Sequence, residues 1–230
     1  MKMEVGMPKR RKQSRRRVKP KIHIFCEGEK TEPNYIREYI REFHPACARL
    51  KDAERPITIK RTTKNTPKQL VKEAVKLTRD PAECIKDDQV WVMYDREAIS
   101  KYSEDDHSKA WDQAKRNNIE VALSNVCFEY WVLLHMRESS RPAVNCDDLI
   151  SSRDFRLALQ EIGIHDYEKG QPDITRKLMD QQRIDQAKER ARRINEQSRS
   201  ASPGNKDRPY CLNPFTNVYE VLEAIDEIAS

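Results

Sequence analysis

The chain has 230 residues, enough for one large domain or a domain with an appendage, and 37% of them are hydrophobic against 36% charged. Its net charge of +6 is uneven: residues 1–21 hold ten Lys/Arg and one Glu, while the other 209 hold 34 basic and 37 acidic groups. No run is long and apolar enough to cross a membrane. The basic arm also lacks the apolar stretch of a secretion signal.

The arm, residues 1–20, is too charged to bury anything and is expected to be disordered when free. Arg15, Arg16, Arg17 and Lys19 are its candidates for contact with nucleic-acid phosphates. After it, KIHIFCE (21–27) reads as a short buried strand. Thr31-Glu32-Pro33 opens a helix whose stripe is Tyr35, Ile36, Tyr39, Ile40 and Phe43. PITIKR (56–61) predicts a second strand, and Thr66-Pro67 opens a helix with Leu70, Val71, Ala74 and Val75 on one face. QVWVMYD (89–95), continuously apolar from Val90 to Met93, predicts a central strand. Ser103 caps a helix carrying Ala110, Trp111 and Ala114, and IEVALS (119–124) is the fourth strand. From Asn125 the pattern is helical, over 126–137, about 147–161, about 173–197 and about 214–229. Strands alternating with helices predict an α/β fold: a Rossmannoid, mostly parallel sheet over 21–125 flanked by helices, with a helical C-terminal region over 126–230 packed on it. The six cysteines (26, 47, 84, 127, 146, 211) form no C-x-x-C pair and no zinc spacing. That usage fits a reduced, cytoplasmic setting.

The first strand ends in Cys26-Glu27-Gly28-Glu29-Lys30-Thr31, which superficially resembles a phosphate-binding loop. The G-x-x-x-x-G-K-[ST] pattern, however, requires Gly at positions 24 and 29, occupied here by Ile24 and Glu29. A carboxylate facing phosphate would cancel the attraction such a loop supplies. The acidic reading finds a partner instead. Asp95-Arg96-Glu97 ends the third strand, and in parallel α/β sheets ligands gather beyond the carboxyl ends of the strands. Glu27, Asp95 and Glu97 are therefore expected at one edge, with Asp95 and Glu97 projecting to the same side of an extended segment. Such a carboxylate group suits a hard divalent ion, Mg²⁺ or Mn²⁺, and metal-assisted phosphodiester cleavage. Glu29 and Glu32 either join that group or serve the helix start, Glu32 as a first-turn acid.

Glu27-Gly28 with Asp95-x-Glu97 resembles the Toprim arrangement shared by topoisomerases, primases and OLD-type nucleases. More closely, CEGEKTEPNY, VWVMYDRE, LSNVCFEYWVLLH, DYEK and LNPFTNVYEVLE follow the order of the RloB-like proteins, prokaryotic proteins found with restriction and antiphage systems. The resemblance spans about residues 21–229, with departures at Glu97 (Asp is more usual), Val126 (Pro) and Tyr130 (Leu). It implies a Toprim-like fold, a Mg²⁺-dependent nuclease acting on DNA or RNA, and a role in antiphage or abortive-infection defence. Its expected partners are nucleic acid and an ATPase or another defence protein; no membrane is expected, and an oligomer is compatible with the sequence.

Four further positions follow. Asn125 ends the fourth strand and either binds phosphate or caps the next helix. Glu129 lies in a helix apolar on nearly all sides, where an unpaired carboxylate is costly. Lys169, in Tyr167-Glu168-Lys169, either stabilises charge on a scissile phosphate or is a solvated cation. His135 reads as a packing residue. The competing class is a non-catalytic nucleic-acid-binding or adaptor module that keeps the Toprim shape.

Overall fold

A computed structural model describes residues 19–230. Four parallel strands, β1 (Ile22–Cys26), β2 (Ile57–Lys60), β3 (Gln89–Asp95) and β4 (Glu120–Asn125), are joined through helices α1 (Thr31–Phe43), α2 (Pro45–Ala48), α3 (Pro67–Thr78) and α4 (Glu104–Arg116). The sheet order is β2-β1-β3-β4-β5, where β5 (Phe215–Thr216) runs antiparallel to β4. The helix starts follow the sequence signals. The Thr66 hydroxyl accepts the Gln69 amide, and Ser103 with Asp106 forms a reciprocal capping box.

The chain winds both ways from β1. Tyr35, Ile36 and Tyr39 of α1 pack on one sheet face with Ile22, Ile24, Trp91 and Met93. Leu70, Val71 and Ala74 of α3 and Ala110 and Ala114 of α4 pack on the other with Phe25, Val90, Val92 and Leu123. The reversal falls between β1 and β3, and it opens a crevice at their carboxyl ends. β1 and β3 are in register, with Cys26 opposite Met93, so Glu27 emerges beside Tyr94 and Asp95.

The second half contains α5 (Glu129–Leu134), α6 (Cys146–Ser151), α7 (Arg153–Glu161), α8 (Pro172–Leu178), α9 (Gln181–Ala201) and α10 (Val218–Ala229). Two stretches predicted as single helices are broken by capping residues. Ser152 accepts the Phe155 amide and starts α7, and Asp180 accepts the Arg183 amide and starts α9. The helix predicted from 214 begins instead at Val218. Ahead of it, Phe215–Thr216 pairs with β4, and the Asn195 side chain clasps the outer edge, donating to the Thr216 carbonyl (2.8 Å) and accepting its amide (3.1 Å). The Asn213 side-chain amide pairs with the backbone of Ala143. The stripe Ile174, Leu178, Ile184, Ala187, Ala191 and Ile194 is buried in the same core as α1 and α5. No helix among the described residues is long and apolar enough to cross a membrane.

Candidate functional site

Five carboxylates, Glu27, Glu32, Asp95, Glu97 and Glu129, line one cavity of about 230 Å³ at the carboxyl edge of the sheet. Glu27 follows β1, and its amide extends the ladder to the Met93 carbonyl (2.8 Å). Its carboxylate turns across the strand gap to accept the Asp95 amide (3.0 Å) and the Tyr102 hydroxyl (3.3 Å). Burial drives the Glu27 carboxyl up from its ordinary 4.5 to about 7, opposed by the Asp95 amide. Asp95, the last residue of β3, is held well above the usual carboxylate range by burial and then by the charges of Glu32, Glu27, Glu129 and Glu97.

Glu97 reaches the cavity by a route other than the expected one. The strand stops at Asp95, and Glu97 sits at φ +56°, so the two are not alternate residues of an extended segment. The Glu97 amide is held by the Val126 carbonyl (2.9 Å), and its carboxylate pairs with Lys101 (2.6 Å).

Glu32 belongs to the site and to the helix start at once. Only 5% exposed, it reaches back from the first turn of α1 to accept the Gly28 amide (3.2 Å). A Cβ on Gly28 would lie 2.0 Å from Glu32 Oε2, so any side chain there would push this carboxylate out of its present position. Burial, then Glu129, raises the Glu32 carboxyl.

Glu129 is 1% exposed and enters from the floor on α5. It accepts the Tyr167 hydroxyl (2.6 Å), and Lys169 Nζ stands 3.7 Å away. Cys146 Sγ lies 3.2 Å from Glu129 Oε2 but is bonded to Cys127 (Cα–Cα 5.7 Å), so it has no proton to donate. This disulfide departs from the expectation of six reduced cysteines. The sequence shows no spacing signal for it, because the two residues meet through packing of α6 on α5.

Other expectations are corrected. Glu29 is exposed and does not line the cavity. Asn125 neither caps α5 nor reaches the carboxylates; its Nδ2 donates to the Leu212 carbonyl (2.6 Å), in a neighbouring cavity. Lys19 precedes β1, at the opposite edge of the sheet from the carboxylates, and Arg15, Arg16 and Arg17 lie outside the described residues. His135 is a packing residue as expected. It bonds the Tyr35 hydroxyl and the Trp131 carbonyl, and burial lowers it to about 4. Lys101, Tyr102 and Asn65 line the cavity without having been singled out. The signal for Lys101 and Tyr102 was their place between Asp95 and the Ser103 cap, in a loop that had to open at this edge.

The lining is an all-oxygen donor set of mutually repelling carboxylates, which fits a hard divalent cation. Among the described residues, the trios that bring donor atoms within 4.8 Å of one another are Cys127–Glu129–Cys146 and His23–Cys84–Asp88. No three of the five cavity carboxylates bring donor atoms that close together. The His23 trio is a structural clasp at the far edge, where Asp88 accepts the Lys21 and Ile85 amides and the His23 ring.

A comparison with models of known families matches residues 22–225 to that of the RloB-like proteins. The chain belongs to the RloB-like family. No curated protein and no solved structure matches it. The match begins at β1 and ends within α10, so the family pattern includes both strand ends and the C-terminal segment that supplies Glu129, Tyr167 and Lys169.

Proposed function

We propose that this RloB-like chain is a Toprim-like, divalent-metal-dependent nuclease of prokaryotic antiphage defence. One observation carries the reading: carboxylates from four separate segments converge on a cavity at the sheet's switch point, where burial and mutual repulsion raise three of them. A divalent cation would offset this accumulated charge beyond what Lys101 and Lys169 contribute, and would keep all the carboxylates ionised. Family membership supports the defence role.

Glu27, Asp95 and Glu97 would hold Mg²⁺ or Mn²⁺, with Glu32 and Glu129 completing the wall. When bound, the ion supplies charge neutralisation at a phosphodiester and activation of water for attack. Glu27, oriented by Tyr102, would be ionised while it holds the ion; off the metal, its carboxyl raised to about 7 would instead act as an acid or base near neutral pH. Lys101 and Lys169, both about half exposed, would bind the nonbridging phosphate oxygens or the departing strand.

Purified protein is incubated with single- and double-stranded DNA and RNA, with Mg²⁺, Mn²⁺ or EDTA, beside Asp95→Ala. Metal-dependent cleavage that Asp95→Ala abolishes, with melting behaviour retained, is the expected result. Cleavage in EDTA, or undiminished in the variant, refutes it. Metal-independent retention of nucleic acid without cleavage points to the non-catalytic adaptor.

A further inference from the structure

Beside the carboxylate cavity lies a second one of about 480 Å³, and Glu97 lines both. Its rim carries Ile99 and Val144, which are 79% and 78% exposed; the next large hydrophobic among the described residues, Leu50, is at 36%. Single exposed apolar residues are ordinary. Here the two most exposed ones, 45 positions apart in sequence, border the same concavity, with Pro142 between them in chain order.

The lining also holds polar groups with unused hydrogen-bonding capacity. Arg96 is 6% exposed; its Nε donates to the Tyr210 carbonyl (2.9 Å) and its Nη1 to the Tyr102 carbonyl (3.1 Å). Its Nη2 has no acceptor among the described residues. Asn125, equally buried, uses Nδ2 on Leu212, and its Oδ1 has no donor among the described residues. The cavity thus offers, beside the carboxylates of Glu97 and Glu104, a donor and an acceptor open to the cavity on two otherwise buried residues, and apolar walls.

We propose that this cavity is a nucleobase pocket, which receives the base next to the scissile phosphate; this rests on the nuclease reading above. A flat heteroaromatic ring with donors and acceptors on its edge matches such a lining. A protein partner would instead call for a broader apolar patch than two side chains around a polar floor. Because Glu97 is a wall common to both cavities, a strand whose phosphate lies at the carboxylates passes its neighbouring base directly into this space. A base can enter only when unstacked, so the substrate is single-stranded or looped nucleic acid, or carries a flipped nucleotide.

The test pairs a protein change with a substrate change. Cleavage of a single-stranded oligonucleotide is mapped, and abasic residues are then placed in turn at the nucleotides flanking the cut. Wild type is compared with Ile99→Asp/Val144→Asp, two exposed positions whose change leaves the melting temperature in place. One abasic position, and separately the double variant, should each lower kcat/KM about tenfold, mainly through KM. Combined, they should cost no more than either alone.

Full activity in both arms, or losses that multiply, overturns the pocket while leaving the nuclease reading intact. A variant that cleaves normally but changes its sedimentation marks the face as a protein-docking surface and equally overturns it. If no cleavage occurs, the nuclease reading fails, and anisotropy with the same oligonucleotides in Ca²⁺ decides the pocket separately. Weaker binding of the abasic strand by wild type but not by the variant upholds it, and equal binding overturns it.

Discussion

Glu27→Gln should make the metal-free protein more stable at pH 8 and leave it unchanged at pH 4. The Glu27 carboxyl titrates at 4.5 ordinarily and about 7 when folded, so the folded state holds this proton more tightly. Between those values the native protein binds more protons than the unfolded chain, and stability falls as pH rises. A shift of this size corresponds to about 3 kcal/mol. Water reaching the half-open cavity screens part of it, and about 1–2 kcal/mol is the working expectation. For a chain of this length that is a rise in Tm of roughly 2–8 °C. Glutamine retains an acceptor for the Asp95 amide, so the charge is what changes. Thermal melts in EDTA at pH 4 and pH 8 read the difference, and repeating them with Mg²⁺ should show stabilisation of wild type at pH 8 that the variant lacks. A lower Tm for the variant at pH 8, or the same shift at both pH values, would refute the electrostatic reasoning.

Gly28→Ala should displace the Glu32 carboxylate that stands 2.0 Å from the new methyl position, and lower Mn²⁺ affinity about tenfold by calorimetry. Tyr167→Phe removes the hydroxyl that Glu129 accepts at 2.6 Å, leaving a buried carboxylate with a poorer set of partners. It should cost about 1–3 kcal/mol in denaturant unfolding without metal, and less once metal occupies the site.

The four parallel strands were legible because each carries its own local evidence: a short apolar run bounded by polar or turn residues, followed after β2 and β3 by a capped helix. Val90 to Met93 could be placed centrally from continuous hydrophobicity alone, and β3 does lie between β1 and β4. β5 was not legible. Two residues give no periodicity, and Phe215–Thr216 is a strand only because β4 and the Asn195 amide, 21 positions away, take its backbone groups. The helix breaks at Ser152 and Asp180 carried the ordinary capping signal, outweighed at Asp180 by the apolar stripe of Ile174, Leu178 and Ile184 that continues across it.

The same distinction governs the site. Glu27 and Asp95 could be paired across 68 positions because strand direction alone sends both to one edge, and the Asp95 amide on Glu27 realises that pairing. Glu97 does line the cavity, but not by the expected geometry: a left-handed residue rather than strand alternation brings it there. Glu129 could be suspected from the cost of a carboxylate on an apolar helix, but its partners Tyr167 and Lys169 meet it only through tertiary packing. Glu29 shows the converse. It has the same charge and the same loop as Glu27, yet it lies outside the cavity because the chain turns at Gly28 to admit Glu32. Among three acidic residues within six positions, which ones converge is decided by the turn at Gly28 and by what the returning helix places against it. A sequence can name the candidates, and only the packed chain can choose among them.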